Sequence, residues 1–244
     1  MTSERWFEYW REHADNSTES HPLAQVQRVL NQVPISDEAF EEIAFHTIDQ
    51  LRPAADSVVL DLCSGNGLLT ARLQQAAELV VAVEFVDMLL RLVRENCRAG
   101  AVPVLADARD VAFRSGSFDR VLVAAALQHF STAEVVNLFA RVRSWLRPGG
   151  VFVLTDVLDQ DKQWRFFDSQ DRESTYFNNL ARGTPILGTW FRREWLTKLA
   201  THSGFIDAVA QDQPDNFPYA HYRFDFSAGT PRVDDANTSV GRGV

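Results

Sequence analysis

Val58-Val59-Leu60-Asp61-Leu62-Cys63-Ser64-Gly65-Asn66-Gly67 runs from an apolar, β-branched stretch into a turn that carries two glycines. A strand that ends in such a turn and opens a helix lets a ligand approach the backbone closely, because glycine has no Cβ and tolerates positive φ. The same turn also serves as a plain tight connection, so its meaning depends on the chain downstream of it. There, short apolar runs at 78–84 (ELVVAVE), 101–105 (AVPVL), 118–125 (FDRVLVAA) and 151–156 (VFVLTD) alternate with helix-length amphipathic segments. That alternation predicts βαβ units around a parallel sheet. Ser131-Thr132-Ala133-Glu134 reads as a capping box, and Arg147-Pro148-Gly149-Gly150 stops the helix it opens.

The flanks read differently. Trp6, Tyr9, Trp10 and His13 recur at helical spacing, and Phe40, Ile43, Ala44, Ile48 and Leu51 do so behind Ser36 as an N-cap, with an irregular polar stretch at 14–35 between them. After Asp156 comes an aromatic-rich segment, then an amphipathic helix at 191–202, strands at 205–210 and 220–226, and a tail without periodicity. The expected organisation is a helical cap over 1–56, an α/β domain over 57–230 with an aromatic insertion at 157–190, and a flexible tail over 231–244.

Three acids fall at successive strand ends: Asp61, Glu84 and Asp107. Those ends emerge on one edge of a parallel sheet, the edge at which open α/β sheets bind ligands. Glu84 stands 19 residues beyond Gly65, where its carboxylate would accept both hydroxyls of a ribose. One adenosine-sized site accounts for all three acids.

With these motifs in order, the chain resembles the class I S-adenosylmethionine-dependent methyltransferases, closely over 57–156 and more loosely over 190–226. VVLDLCSGNG is similar to their first motif, with Asp61, Cys63, Ser64, Gly65 and Gly67 as cofactor contacts. Glu84, with Phe85 beside it, resembles their ribose acid, and Asp107-Ala108 their adenine contact. FDRVLVAAALQHF, which supplies Ala124 and Ala125, and LRPGGVFVLTD resemble their fourth and fifth strand signatures. The resemblance implies a Rossmann-like, doubly wound seven-stranded sheet of order 3-2-1-4-5-7-6 with its last strand antiparallel, and an N-terminal helical lid. It also implies S-adenosylmethionine as cofactor and S-adenosylhomocysteine as product. Cys63 stands where the first glycine of the family pattern usually does and reads as a turn-packing residue. A third glycine is missing, which weakens the alternative of a nicotinamide-dependent oxidoreductase; a non-catalytic, cofactor-binding regulatory protein of the same fold is the other alternative.

Methyl transfer from a sulfonium is an in-line displacement, so positioning matters most and a general base helps only with a protonated acceptor. His129 and His221 are the candidate catalytic residues; Tyr9, Trp10, His13, Gln128, Asp156 and Tyr219 are candidate substrate contacts. A small-molecule metabolite methylated at oxygen or nitrogen is expected, in a chain that is monomeric or homodimeric. The net charge of −9 argues against nucleic acid as a partner, and no apolar run is long enough for a membrane span or a secretory signal, so a cytoplasmic address is expected. Two cysteines without ligand spacing exclude a zinc scaffold or disulfide framework, and no metal is expected.

Overall fold

The computed structural model describes residues 3–17, 20–97, 99–184 and 187–232; from residue 233 onward the expected tail lies outside the described residues. Seven strands form one sheet: β1 (Val58–Leu62), β2 (Leu79–Glu84), β3 (Ala101–Leu105), β4 (Phe118–Ala124), β5 (Leu146–Leu158), β6 (Ile206–Asp212) and β7 (Arg223–Gly229). Their spatial order is β3-β2-β1-β4-β5-β7-β6, the order expected from the resemblance. The first five strands run parallel, and β7 is antiparallel to both β5 and β6.

Side-chain alternation divides the core between the two faces of the sheet. Leu60 and Leu62 of β1, Val121 and Val123 of β4, and Phe152 and Leu154 of β5 enter one cluster with Phe139 and Val142 of the helix Thr132–Trp145. Val59, Leu122 and Val153, at positions of the opposite parity, pack on the other face with Leu51 and Leu73. Burial on both faces explains why these strands read as mostly apolar runs.

Helix α1 spans Ser3–Asn16 and α2 Asp37–Leu51, with the Ser36 Oγ accepting from the Ala39 N–H at 3.2 Å as its cap. Because Leu51 of α2 lies in the sheet's own core, the cap expected over 1–56 divides. α2 joins the α/β layer, while α1 and residues 20–35 cover the sheet edge. The stretch read as irregular contains a short helix, Pro22–Gln25, and a two-residue hairpin pairing Val29–Leu30 with Val33–Pro34.

Three further differences concern lengths. The segment after the glycine turn forms only one helical turn, Thr70–Leu73, before β2, whereas α3 (Asp87–Asn96) and α4 (Thr132–Trp145) are full helices. Both halves of the α4 capping box form, the Glu134 N–H donating to Ser131 Oγ and the Ser131 N–H to Glu134 Oε2. β5 begins at Leu146 and continues past Asp156 to Leu158, since Asp156 takes a left-handed φ of +58° at a bulge and the apolar alternation resumes at Val157. β7 starts at Arg223 because turns closed by the Phe217 and Tyr222 N–H groups use up the preceding residues. The aromatic insertion folds as a short helix, Gln163–Phe166, and α5 (Gln170–Ala181), and it leads to α6 (Arg193–His202). No helix among the described residues is long and apolar enough to cross a membrane.

Candidate active site

The carboxyl ends of β1, β2, β3 and β4 open into a cleft of about 1000 Å³. Glu84, at the end of β2, is buried. Its Oε1 accepts from the N–H groups of Phe85 (2.8 Å) and Val86 (2.9 Å), and its Oε2 from Gly65 (3.0 Å). A carboxylate oxygen accepts two hydrogen bonds, so Oε2 retains room for one further donor facing the cleft. Burial pushes the Glu84 carboxyl up to about 7 against the pull of those three N–H groups. Asp61 lies behind the turn, accepting from Thr70 Oγ1 at 2.6 Å, and burial pushes it to about 7 as well.

Asp107 and Ala108 follow β3 and line the same cleft. Burial would raise the Asp107 carboxyl, but its ion pair and hydrogen bonds with Arg109 outweigh this and hold it below the ordinary range. The Ala108 N–H is buried with no protein acceptor among the described residues. A ring nitrogen beside it would satisfy it. Ser64, Phe85, Ala124 and Ala125 also line the cleft.

Cys63 takes a φ of +61°, the left-handed region that favours glycine, which explains why the family pattern has glycine there. Burial, and then the charge of Glu84, push its thiol well above the ordinary range, so it is no nucleophile. Gly67 does not line the cleft. It sits under α3 at a φ of +81°, where a Cβ would stand 2.9 Å from the Val93 Cα.

The roof comes from the N-terminus. Trp6, Phe7 and Trp10 of α1 line the cleft, Phe7 stacking on Phe85 at 5.1 Å between centroids. Two anchors hold this cover. Asn66 Nδ2 donates to Pro22 O (2.8 Å) and Gln25 Oε1 (2.9 Å), and a His13 ring nitrogen lies 3.1 Å from Ala24 O. His13, expected as a substrate contact, therefore fastens α1 to the following segment and lines none of the described cavities.

His129 is half-buried and lines the cleft. Trp10 Nε1 donates to its Nε2 at 3.3 Å, and the Trp6 ring lies 4.3 Å away. Indole N–H only donates, so Nε2 is the acceptor and the ring proton sits on Nδ1, which has no partner among the described residues. Burial first, and the charge of Arg223 second, push the imidazole down to about 3. A neutral ring whose lone pair is engaged is poorly suited to the base role expected from sequence.

Past Ala125 the cleft meets a second chamber of about 1220 Å³, sharing Val26, Arg28 and Ala125 with it. Gln128, Tyr219 and His221 line this chamber; Tyr9 borders a side cavity beside Trp6 and Trp10. Gly188, at a φ of +103°, lets the 187–190 loop lie against the Gln128 carbonyl, where a Cβ would approach to 2.2 Å. Asp156, expected to orient a substrate, lines neither cavity. Its Oδ2 is ion-paired with Arg28 and its Oδ1 accepts from Gln213 Nε2 at 3.0 Å. It anchors Arg28, and that ion pair joins residues 128 apart in the chain. Arg28, Asn66 and Arg223 do not stand out in the sequence as site residues; only Asn66, set between two glycines of a ligand turn, carries a readable signal.

Residues 59–150 match the family model described as a methyltransferase domain. An uncharacterised methyltransferase of Synechocystis sp. is 32% identical over 128 residues, 52% of this chain and 59% of that protein, so the match spans little more than half of either. Among solved structures, the DhpI-SAM-HEP complex superposes with a TM-score of 0.63 at 19% identity, covering 93% of this chain and 97% of that one. Phosphoethanolamine N-methyltransferase 1 of Haemonchus contortus, in complex with phosphoethanolamine and S-adenosylhomocysteine, gives 0.69 at 13% identity, covering 99% of this chain and 54% of that one. The fold is that of the class I methyltransferases. Within the methyltransferase fold, the strand ends that carry Asp61, Glu84 and Asp107 and the glycine turn form one wall, and α1 closes it from above.

Proposed function

We propose that this protein is an S-adenosylmethionine-dependent methyltransferase acting on the oxygen or nitrogen of a small molecule. The observation that carries the reading is the single cleft in which the Glu84 carboxylate, the Asp107 carboxylate and the unpartnered Ala108 N–H face one another. A ribose hydroxyl would donate to Glu84 Oε2, and the adenine edge would meet Ala108 and Asp107. When bound, S-adenosylmethionine supplies an electrophilic sulfonium methyl. Trp6, Phe7 and Trp10 exclude water from the cleft, and Ala125 marks its opening toward the chamber in which the acceptor would lie. His129, neutral and bonded to Trp10, orients the indole and offers its Nδ1–H. The partly open, aromatic-lined second chamber supports a small acceptor.

Parallel calorimetric titrations with S-adenosylmethionine, S-adenosylhomocysteine and NAD test the cofactor assignment, with binding of the first two and none of NAD expected. Binding of NAD alone would overturn it in favour of a dehydrogenase. Binding of the first two without methyl incorporation into any acceptor, followed by mass spectrometry, would favour a regulatory protein.

Glu84→Ala is expected to weaken S-adenosylhomocysteine binding by about 1.5–3 kcal/mol, the range for hydrogen bonds to charged groups. The pH dependence has a definite sign. The free carboxyl titrates near 7 and the ribose requires the ionised form, so affinity should be full above that pH and fall as the pH drops below it. Asp61 titrates in the same range, which makes Glu84→Gln the control. A wild-type affinity as flat across this range as that of Glu84→Gln would remove Glu84 from the ribose site.

A further inference from the structure

The second chamber has a distinctive charge. The chain as a whole carries −9, yet the lining contains Arg28, Arg172, His221 and Arg223 and no aspartate or glutamate. Burial pushes the His221 imidazole below its ordinary range, toward the neutral form, and two of the three arginines are already paired: Arg28 with Asp156, and Arg172 with Asp168 at 3.1 Å on the exposed rim. Arg223 differs. It is 8% exposed, and its one side-chain hydrogen bond runs from Nη1 to the Asp156 backbone carbonyl rather than to a carboxylate. Its Nε is buried without a partner among the described residues. Tyr219 and Tyr222 flank the guanidinium at 5.5 and 5.3 Å, fixing its plane.

The Asp156 carboxylate, ion-paired with Arg28, also acts on Arg223 through its charge, but no carboxylate oxygen among the described residues accepts a hydrogen bond from the Arg223 guanidinium, and a buried N–H without an acceptor is costly. Within the same wall, Gln128 is held by its Nε2 on Ala125 O at 2.6 Å, and Tyr219 is held by its hydroxyl on Val29 O at 3.0 Å. The Gln128 Oε1 is itself buried without a partner among the described residues, and Arg223 is left with N–H groups to satisfy in a chamber lined by no carboxylate. An anionic oxygen group would accept from them, because the planar fork of a guanidinium matches two oxygens of a carboxylate or phosphate.

We propose that the chamber is an anion subsite, and that the acceptor carries a carboxylate or phosphate group held by Arg223 with Arg172 and His221 at the mouth. The assignment rests on the reading that the adjoining cleft holds the cofactor, and it adds the class of acceptor to that reading. The anionic end docks on Arg223, and the acceptor's nucleophilic atom reaches back past Ala125, one of the three residues common to both cavities.

The test titrates inorganic phosphate and acetate, in separate arms, into the protein with and without saturating S-adenosylhomocysteine. Arginine Nε–H resonances are followed by NMR. Saturable binding that shifts the Arg223 Nε–H signal is expected, and the tighter arm identifies the group. Arg223→Gln should weaken that binding by about ten- to a hundredfold, and Arg223→Lys, which keeps the charge but loses the fork, by about tenfold. S-adenosylhomocysteine binding by both variants serves as the fold check. Should the glutamine variant fail to fold, the lysine variant and the wild-type Nε–H shift decide. Absence of saturable binding by wild-type protein in both arms, or binding that leaves the Arg223 signal unmoved, would overturn the anion subsite. Failure of wild-type protein to bind S-adenosylhomocysteine while phosphate still titrates Arg223 would instead remove the cofactor reading and leave the anion site standing.

Discussion

Asp156→Ala is expected to lower the unfolding free energy by about 3–5 kcal/mol, because it leaves the Arg28 guanidinium buried without its partner. The carboxylate sits under four constraints. Arg28 takes Oδ2, Gln213 takes Oδ1, the Asp156 N–H donates to Asp225 Oδ1 at 3.0 Å, and its carbonyl accepts from Arg223. The substitution removes the first two and so frees the segment bearing Arg28 and Val26 from the roof of the cleft. Urea denaturation reads the effect directly as a shift in midpoint at constant slope. A loss under about 1 kcal/mol would mean that the pair behaves like a solvated surface ion pair. Burial alone would raise this carboxyl, but Arg28 and Arg223 hold it below its ordinary range. A depressed acid contributes stability above its unfolded pKa and loses it as the pH falls through the folded value. The wild-type advantage over Asp156→Ala should therefore be full at neutral pH and shrink in acid below the ordinary aspartate range.

Gly67→Ala is the second large effect, at about 2–5 kcal/mol of stability. The left-handed φ costs a residue with a Cβ about 1–2 kcal/mol, and forcing that atom against the Val93 backbone adds about 1–3 kcal/mol of overpacking. Gly116 separates the two contributions. Its φ is +63°, with nothing within 4 Å of a Cβ, so Gly116→Ala should show only the conformational part, about 1–2 kcal/mol. Equal losses for the two variants in thermal or urea unfolding would show that the contact with α3 relaxes freely. The comparison bears on function because Gly67 fixes where α3 meets the turn whose Gly65 N–H binds Glu84.

The sheet was legible because its information is local. A strand buried on both faces is mostly apolar, as over residues 58–60 and 121–124, and a cap announces itself within four residues, as Ser131 and Glu134 do. The placement of Asp61, Glu84 and Asp107 at one cleft was legible for a related reason, since parallel strands deliver the residues at their carboxyl ends to one edge whatever the rest of the chain does. Where the local signal misleads, a polar residue is the cause. Asp156 interrupts the apolar pattern of β5 and reads as its end, whereas the strand passes through it in a bulge.

The sequence by itself established a doubly wound sheet, its strand order through a resemblance, and the acids Asp61, Glu84 and Asp107 on one edge. Folding in three dimensions settled which side chains are used up and which are left over. Asp156 and His13 became anchors because their partners, Arg28, Gln213 and Ala24, are brought to them by tertiary packing. His129 became neutral because Trp10 and burial surround it, and Arg223 kept an unpartnered Nε–H because no acceptor among the described residues reaches it. Periodicity and spacing report which face a residue occupies. Ionisation and hydrogen-bond satisfaction depend on groups brought within about 4 Å from anywhere in the chain, and only the closed structure sets those distances.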